Sequence, residues 1–409
     1  MRMLHTSDWH LGRLLYTRKR HAEFGQFLDW LVGVIAQQNI DAVLVAGDIF
    51  DTAVPSHEAQ RLYYHFLYQV ARSGCRHLVI TAGNHDSPYL LEAPRELLRC
   101  LDVHVIGAIT EHPENEVLLL RDTAGRVELI VCAVPYLRDR DIRVVEAGET
   151  PEEKQRYLVE GIRSHYQSIY QVAESKRDEV GQTVPIVVMG HLFTVGGQTQ
   201  EGDGVRELYV GSLVHVATSL FPAGIDYLAL GHLHLPQRVG ESATKRYSGA
   251  PLAMSFAEAK QQKTICLVEF DSRTGVVETR VETIAVPHFQ YLEQIRGDWD
   301  TIVARLTWLR SENVAAWLEI IYEGETLIAD LRDQLEQKTA GSDLAILRIK
   351  NNRVTSQQLN SSDEQESLDD LGHEEVFNRC LEAHQVAAEQ RPDLLAAYRD
   401  IDILVHEGV

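Results

Sequence analysis

Five short runs of Val, Ile, Leu and Ala in the N-terminal part of the chain each lead directly into polar residues that can bind a metal ion. Helical patterns separate the runs, and the first pattern places Phe24, Leu28 and Leu31 on one face between residues 18 and 38. Short apolar strands that alternate with helices are typical of an α/β layer fold. The sequence therefore predicts an α/β fold whose five runs are LHTSDWH, VLVAGD, VITAGNHD, VVMGH and LALGHLH.

The polar residues at the ends of these runs form a candidate site. In an open α/β sheet, sites assemble outside the carboxyl ends of the strands, so termini that are distant in sequence can converge. Glycine precedes the polar residue in four runs, at Gly47, Gly83, Gly190 and Gly231, and its missing Cβ allows a sharp turn and close approach of a bound group. The seven candidate ligands are Asp8, His10, Asp48, Asn84, His191, His232 and His234.

The types of ligand indicate which ions fit. Carboxylates, imidazoles and one amide oxygen, with no thiolate, suit manganese, iron or zinc. Seven ligands are too many for one ion with open positions, but they suit two ions that share a carboxylate. Two such ions, about 3.5 to 4 Å apart, can hold a phosphate and lower the pKa of a bound water. His85 follows one of the ligands, so it can protonate or stabilise the leaving oxygen.

Each motif alone also has a structural explanation. Asp8 to His10 can be a loop, Gly47-Asp48 a turn, and a single Gly-His pair a core histidine with satisfied hydrogen bonds. Asn84 and Asp86 can cap a following helix. The occurrence of five such motifs at five predicted strand ends favours a metal site.

The ordered motifs DxH, GD, GNHD, GH and GHxH resemble the signature of the calcineurin-like metallophosphoesterases. The longer strings LHTSDWHLG, DAVLVAGDIFD, TAGNHDS and LGHLH look like the bacterial branch of the double-strand-break repair nucleases in that family. The resemblance covers the whole chain and is strongest up to about residue 260. One departure is Ala250 in YSGAP, where the family commonly has serine; no candidate ligand is affected.

This resemblance implies a layered sandwich of two β-sheets flanked by helices. It also implies that Asp8, His10 and His234 hold one ion, that Asn84, His191 and His232 hold the other, and that Asp48 bridges them. His85 would be the catalytic histidine, and manganese is the family's usual ion. The implied activity is metal-dependent DNA cleavage in repair and recombination, as an exonuclease on double-stranded ends and an endonuclease on single strands or hairpins.

The rest of the chain predicts further segments. Residues 150–180 predict a polar helix, and residues 263–286 predict a hairpin that closes the nuclease domain, residues 1–285. A β-α-β-α-β order then predicts a small α/β domain, residues 286–354, whose second helix carries Ile328, Leu331 and Leu335 on one face. Residues 355–373 are acidic and predict a linker, and residues 374–409 predict C-terminal helices.

An apolar stripe in the C-terminal segment is a candidate for partner binding. Val376, Phe377 and Leu381 recur at helical spacing beyond the linker, so they can pack on a partner helix or back on their own domain. The resemblance implies that the partner is a coiled-coil ATPase, that the small domain caps the site and guides DNA, and that the N-terminal region supports a homodimer.

Composition limits the classes of partner. The formal charge of −21, from 60 acidic and 39 basic residues, opposes long-range attraction to DNA, so a local patch, bound cations or a partner must hold it. The five cysteines are scattered and never spaced as CxxC, which indicates reduced thiols. Because the sequence has no signal peptide and no apolar run of membrane-spanning length, we expect a cytoplasmic location.

Two other functions use the same observations. A small-molecule phosphatase or cyclic-nucleotide phosphodiesterase would have the same ions but would not need the residues after the catalytic domain. A non-enzymatic scaffold with a decayed site would have lost ligands, whereas all seven and His85 are present. No GxxxxGK[ST] loop occurs, so an ATP-driven step requires another chain.

Overall fold

A computed structural model describes residues 1–143, 149–194, 217–324, 330–351 and the single residues 326, 328, 381, 391 and 395. Strands β1 to β17 are, in chain order, Arg2–Thr6, Leu14–Leu15, Arg18–Lys19, Ala42–Ala46, His77–Thr81, Val103–Ile106, Val117–Arg121, Val127–Ala133, Ile186–His191, Tyr227–Gly231, Gln237–Arg238, Lys245–Tyr247, Thr264–Asp271, Glu278–Ala285, Tyr291–Gly297, Ala316–Tyr322 and Leu344–Asn351. Helices α1 to α8 are His21–Gln37, His57–Ala71, Pro88–Glu92, Arg95–Arg99, Asp139–Ile142, Pro151–Val180, Trp299–Ser311 and Leu331–Thr339.

The described residues divide into two compact units. The first comprises residues 1–294 with 315–317, and the second comprises the other described residues from Ile295 onward.

The first unit contains two six-stranded sheets. The first sheet has the order β14-β13-β1-β4-β5-β6, in which β1, β4, β5 and β6 are parallel and β13 and β14 form an antiparallel hairpin on β1. The second has the order β11-β12-β10-β9-β8-β7, with β12, β10, β9 and β8 parallel. Parallel neighbours bring their carboxyl ends to one edge of each sheet.

The sheets pack face to face because successive residues of each central strand point to opposite sides. In β4, Val43 and Val45 belong to the core beneath α1 and α2, whereas Ala42 and Leu44 belong to the core between the sheets. A third core covers the outer face of the second sheet and includes Ile162, Tyr166, Ile169 and Tyr170 of α6. The resulting helix–sheet–sheet–helix order is the predicted layered sandwich.

Helix α6 begins and ends where its sequence specifies. The Thr150 hydroxyl accepts the Glu153 N–H while the Glu153 carboxylate accepts the Thr150 N–H, and Pro151 occupies the first turn. Gly181, with φ of +66°, ends the helix in the left-handed conformation. The predicted polar helix over residues 150–180 is therefore confirmed.

The second unit is a small α/β layer. Its strands are ordered β15-β16-β17, and α7 buries Ile302, Leu306 and Leu309 at the predicted helical spacing. Helix α8 begins later than predicted, at Leu331, so the expectation that Ile328 lies on its face was wrong. Asp330 adopts the left-handed conformation, φ +53°, which prevents the helix from extending back to residue 328.

Two strands were not predicted from the sequence. β6 and β7 flank the two sheets, but β6 spans only Val103–Ile106 and β7 is continued by an antiparallel turn into β8. Short apolar runs of this kind give too little periodicity to distinguish a strand from a loop. Among the described helices, none combines the length and hydrophobicity needed to cross a membrane.

Candidate metal centre

The seven candidate ligands meet where the carboxyl ends of the parallel strands of both sheets adjoin. The Asp8 N–H donates to the Gly47 carbonyl at 3.0 Å, and the His10 N–H donates to the Asp48 carbonyl at 2.9 Å, which joins the loops after β1 and β4. The His232 N–H donates to Asp8 Oδ1 at 2.9 Å and links the loop after β10 to the first sheet. These backbone bonds hold the side chains in one buried cluster.

The backbone at four of the ligands is in an uncommon conformation. Asp8, His10, Asp48 and His232 have φ angles of +53°, +48°, +52° and +100°. Residues other than glycine adopt positive φ at a cost of about 1–3 kcal/mol each, and such strain persists where the fold over-determines it, often at functional sites. No sequence signal announces these angles.

Two of the glycines before the ligands are required by space. A Cβ on Gly47, which also has φ of +84°, would overlap the His191 ring, and a Cβ on Gly83 would overlap the Asp48 carboxylate. Both glycines therefore allow the backbone to approach the ligand set closely.

The first cluster consists of Asp8, His10 and His234, whose ligand atoms lie within 4.8 Å of one another. His10 Nε2 and His234 Nε2 are 3.1 Å apart, and both rings are buried. The second cluster forms around Asn84, whose Oδ1 lies 3.1 Å from His191 Nε2 and 3.0 Å from His232 Nδ1.

Asp48 lies between the two clusters. Its Oδ2 atom is 3.5 Å from His10 Nε2 and 3.3 Å from His191 Nε2, while Oδ1 accepts the His85 N–H at 2.9 Å. Asp8 also lies within 4.8 Å of the ligand atoms of Asp48 and His191, so it faces both clusters. One carboxylate oxygen thus contacts a member of each cluster.

The hydrogen-bonding roles of these atoms test whether a cation fits. His191 Nδ1 lies 2.9 Å from the Ala46 carbonyl, so Nδ1 carries the hydrogen and Nε2 presents its lone pair. That lone pair faces Asp48 Oδ2 and Asn84 Oδ1, which are also acceptors. Acceptors at these separations repel unless a proton or a cation lies among them, so the donor set fits a divalent cation.

Titration of the ligands follows from the same geometry. Burial would raise the pKa of Asp48, but His191 and then His10 hold that pKa well below its ordinary value. Burial lowers the pKa of His191, yet the Asp48 charge more than offsets this and raises it to about 9. Burial, assisted by His191, lowers the pKa of His232 to about 3, which leaves that imidazole neutral and able to bind a metal.

His85 lies beside the first cluster with one nitrogen already engaged. Its Nδ1 lies 2.8 Å from the Asp51 carbonyl and donates to it, so Nε2 is the nitrogen that remains for a substrate. The rings of His85 and His10 meet edge to face with centroids 4.8 Å apart. Ligand atoms of His10, Asp51 and His85 also lie within 4.8 Å of one another.

Asp86 has a role that the sequence interpretation missed. Its carboxylate accepts backbone N–H groups from Ile49, Phe50 and Gly83 at 2.8–3.1 Å, which binds the loop after β5 to the loop after β4. Burial and then the Asp48 charge raise its pKa to about 6 against these bonds. The helix cap suggested for Asp86 is instead made by Ser87, whose side chain accepts the Leu90 N–H.

Comparison with known proteins identifies the family. Residues 1–236 match the calcineurin-like phosphoesterase family, and residues 288–385 match SbcD_C, described as the Type 5 capsule protein repressor C-terminal domain. The SbcD subunit of the nuclease SbcCD from Escherichia coli K12 is 36% identical over 396 residues, which are 96% of this chain and 96% of that protein. The chain belongs to the SbcD family of calcineurin-like phosphoesterases. The SbcD subunit of Bacillus subtilis is also 36% identical, over 69% of each chain.

The candidate partner-binding stripe of this SbcD-family chain lies almost entirely outside the described residues. Val376 and Phe377 are not among them, and neither is the predicted linker. Leu381 is described: it is helical, and its side chain is buried.

Glu258 is a further residue of the SbcD-family site that no sequence motif indicated. Its fully buried carboxylate lies 3.7 Å from His234 Nδ1 and pairs with the buried Lys263 ammonium. Lys263 also donates to the His234 carbonyl at 3.1 Å. A carboxylate behind a metal-binding histidine fixes the orientation of the ring and raises its basicity, so we assign Glu258 a positioning role.

Replacing Glu258 with glutamine is expected to weaken metal binding by about 10–100-fold, because the amide lacks the charge that orients His234. Titration calorimetry with manganese measures this change. Glu116→Gln is the matched control, since Glu116 is also a fully buried carboxylate and its Oε2 lies 3.0 Å from His165 Nε2, away from the ligands. Equal affinities in the two variants would remove the positioning role from Glu258.

Proposed function

We propose that this chain hydrolyses phosphodiester bonds of DNA at a centre that holds two manganese ions. The observation that carries the proposal is Asp48 Oδ2, which lies within 3.5 Å of a histidine nitrogen from each of two ligand clusters. A shared carboxylate between two sets of imidazole and oxygen donors is the arrangement that a two-ion phosphoesterase needs. Manganese is proposed because this donor set contains no thiolate, and because the family resemblance implies it.

In this proposal, each ligand has a stated place. Asp8, His10 and His234 hold one ion, Asn84, His191 and His232 hold the other, and Asp48 contacts both. When bound, such ions bind phosphate oxygens and lower the pKa of water. The carbonyl of Ala46 and the carboxylates of Asp51 and Glu258 lie behind the rings of His191, His10 and His234, respectively.

His85 supplies proton transfer. Its Nδ1–H is held by the Asp51 carbonyl, so a second proton on Nε2 can be donated to the oxygen that leaves phosphorus. The Asp48 Oδ1 atom fixes the His85 backbone and thereby couples the position of this acid to the ligand set.

We propose double-stranded DNA ends and hairpins as substrates and the coiled-coil ATPase SbcC as partner. The relatives are named as subunits of a two-component nuclease, SbcCD, which supports a second chain. The net charge of −21 also supports it, because this chain alone repels DNA at long range. We further propose a homodimer within a heterotetramer, in the cytoplasm.

The proposed division of labour follows the predicted segments. Residues 1–285 cleave, residues 286–354 cap the site and guide DNA, residues 355–373 link, and residues 374–409 bind the ATPase through Val376, Phe377 and Leu381. These assignments rest on the resemblance and on the apolar stripe in the sequence.

One experiment tests the activity and the partner together. Purified full-length protein with manganese is incubated with linear duplex DNA, with hairpin DNA and with a small phosphodiester, first alone and then with SbcC and ATP. We expect manganese-dependent DNA cleavage that increases when SbcC and ATP are present. Hydrolysis of the small diester without cleavage of either DNA, in both conditions, would instead identify a small-molecule phosphodiesterase.

A further inference from the structure

A second group of metal-binding side chains lies at the opposite ends of the strands from the candidate metal centre. His77 is the first residue of β5, Asp102 directly precedes β6, and His104 is the second residue of β6. β5 and β6 are parallel with Leu78 opposite Val103, so both begin at the same edge of the first sheet. The length of β5 alone separates this edge from the other by roughly 13 Å, so the two groups cannot share an ion.

The three side chains are close enough to converge on one ion. One ligand atom from each lies within 4.8 Å of a ligand atom of both others. An ion with bonds of about 2.0–2.2 Å holds its ligand atoms roughly 3.0–3.5 Å apart, so a small side-chain rotation completes the contact. Asp102 is exposed and His104 is half-buried, which leaves room for that rotation.

The hydrogen bond of His77 fixes which of its nitrogens faces a ligand. Nε2 lies 2.8 Å from the carbonyl of Arg121 in β7 and donates its hydrogen to it. Nδ1 therefore carries the lone pair, and that atom is buried without a hydrogen-bond partner among the described residues. Metal-binding histidines usually donate the other ring N–H to a carbonyl or carboxylate in this way. A buried lone pair that nothing satisfies is the independent sign of a missing cation.

The backbone holds the other two ligands in place. The Asp102 N–H donates to the Arg99 carbonyl at 3.1 Å, and the Asp102 carbonyl accepts the Leu78 N–H at 3.1 Å. His104 lies opposite Val79 in the parallel ladder and therefore on the same face of the sheet as His77. The ligands come from neighbouring strands whose register is fixed by the fold.

Neighbouring charges do not prevent cation binding. The guanidinium of Arg76 is paired with both Asp41 and Glu128, and that of Arg99 lies 3.4 Å from Glu96. Burial, followed by the proximity of His77, lowers the pKa of His104, which keeps this imidazole neutral near pH 7. Both imidazoles are then available as ligands.

We propose that His77, Asp102 and His104 bind one divalent transition-metal ion, for which zinc is the best match. Two imidazoles and one carboxylate form a recognised zinc ligand set that leaves a fourth position for water. The ion would clamp β5 to β6 and, through the His77 hydrogen bond to Arg121, stiffen the edge where the two sheets adjoin. Its role is structural, and it differs in place and ligands from the proposed catalytic pair.

Zinc analysis of the full-length protein tests this proposal. Wild type, His104→Gln and Asp102→Asn are equilibrated with zinc, freed of unbound metal and analysed for zinc per chain. We expect both variants to retain one zinc ion fewer than wild type, and zinc to raise the thermal unfolding midpoint of wild type more than theirs. His65→Gln, which changes an exposed histidine of α2, is the matched control and should behave as wild type.

Two results would overturn the proposal. One is equal zinc content in wild type and both variants, with equal unfolding midpoints in the absence of zinc. The other is a crystal equilibrated with zinc whose anomalous difference map has peaks at the catalytic ligands and none among these three side chains. Asp102→Asn keeps the test decisive if His104→Gln fails to fold, because Asp102 is exposed. Manganese-dependent cleavage should be unchanged in either variant.

Discussion

Replacing Asp48 with asparagine is expected to reduce bound metal from about two ions per chain to less than one and to reduce DNA cleavage by about 1,000-fold or more. The amide cannot supply the negative charge that faces both His10 Nε2 and His191 Nε2. The amide oxygen can still accept the His85 N–H, so the loop geometry is preserved. Metal analysis of the purified variant, followed by the duplex assay, measures both effects.

Asp29→Asn is the matched control for Asp48, because Asp29 is an exposed carboxylate on α1, far from the ligands in the sheet order. It should retain metal and activity. Full occupancy by two ions in Asp48→Asn would show that the carboxylate does not bridge them.

Replacing His85 with glutamine is expected to lower the rate of DNA cleavage by about 100- to 10,000-fold while metal content stays near that of wild type. The predicted loss arises because the leaving oxygen of DNA requires a proton, whereas none of the contacts assigned to the ions involves His85. Turnover at saturating manganese and metal content per chain are the two measurements.

A substrate with a different leaving group separates the two possible roles of His85. Bis(p-nitrophenyl) phosphate releases a weakly basic phenolate that needs no proton, so the His85→Gln loss should be much smaller for it than for DNA. An equal loss on both substrates, together with reduced metal content, would make His85 a ligand with His10 and Asp51, with which it also clusters. His65→Gln on α2 serves as the exposed-histidine control.

Much of the fold could be predicted because buried strands and amphipathic helices have local signatures. The runs ending at Ala46, Thr81, His191 and Gly231 are strands of the central sheets, as predicted. The predicted closing hairpin is confirmed by the antiparallel pairing of Ile265 with Ile284. Prediction failed where the local signal was short, as in β6, or where one residue changed conformation, as at Asp330.

The residues behind the candidate ligands could not be predicted in the same way. Glu258 lies in a short 3-10 helix with no motif around it, and only the fold brings it to His234. Asp86 is part of the GNHD motif, but its three bonds to backbone N–H groups distinguish it from the helix cap that its position suggested. Ordinary acidic residues gain such roles from long-range packing, which leaves no trace in local spacing.

The sequence by itself determined the α/β class, the order of the motifs and the chemical types of the candidate ligands, because strand periodicity and ligand chemistry are local properties. Only the tertiary structure decided that Asp48 faces two clusters, that His191 presents Nε2 inward, and that His77 keeps a buried lone pair at the far edge of the sheet. These features depend on strand register, on the packing of one sheet against the other, and on backbone angles that the whole fold must hold.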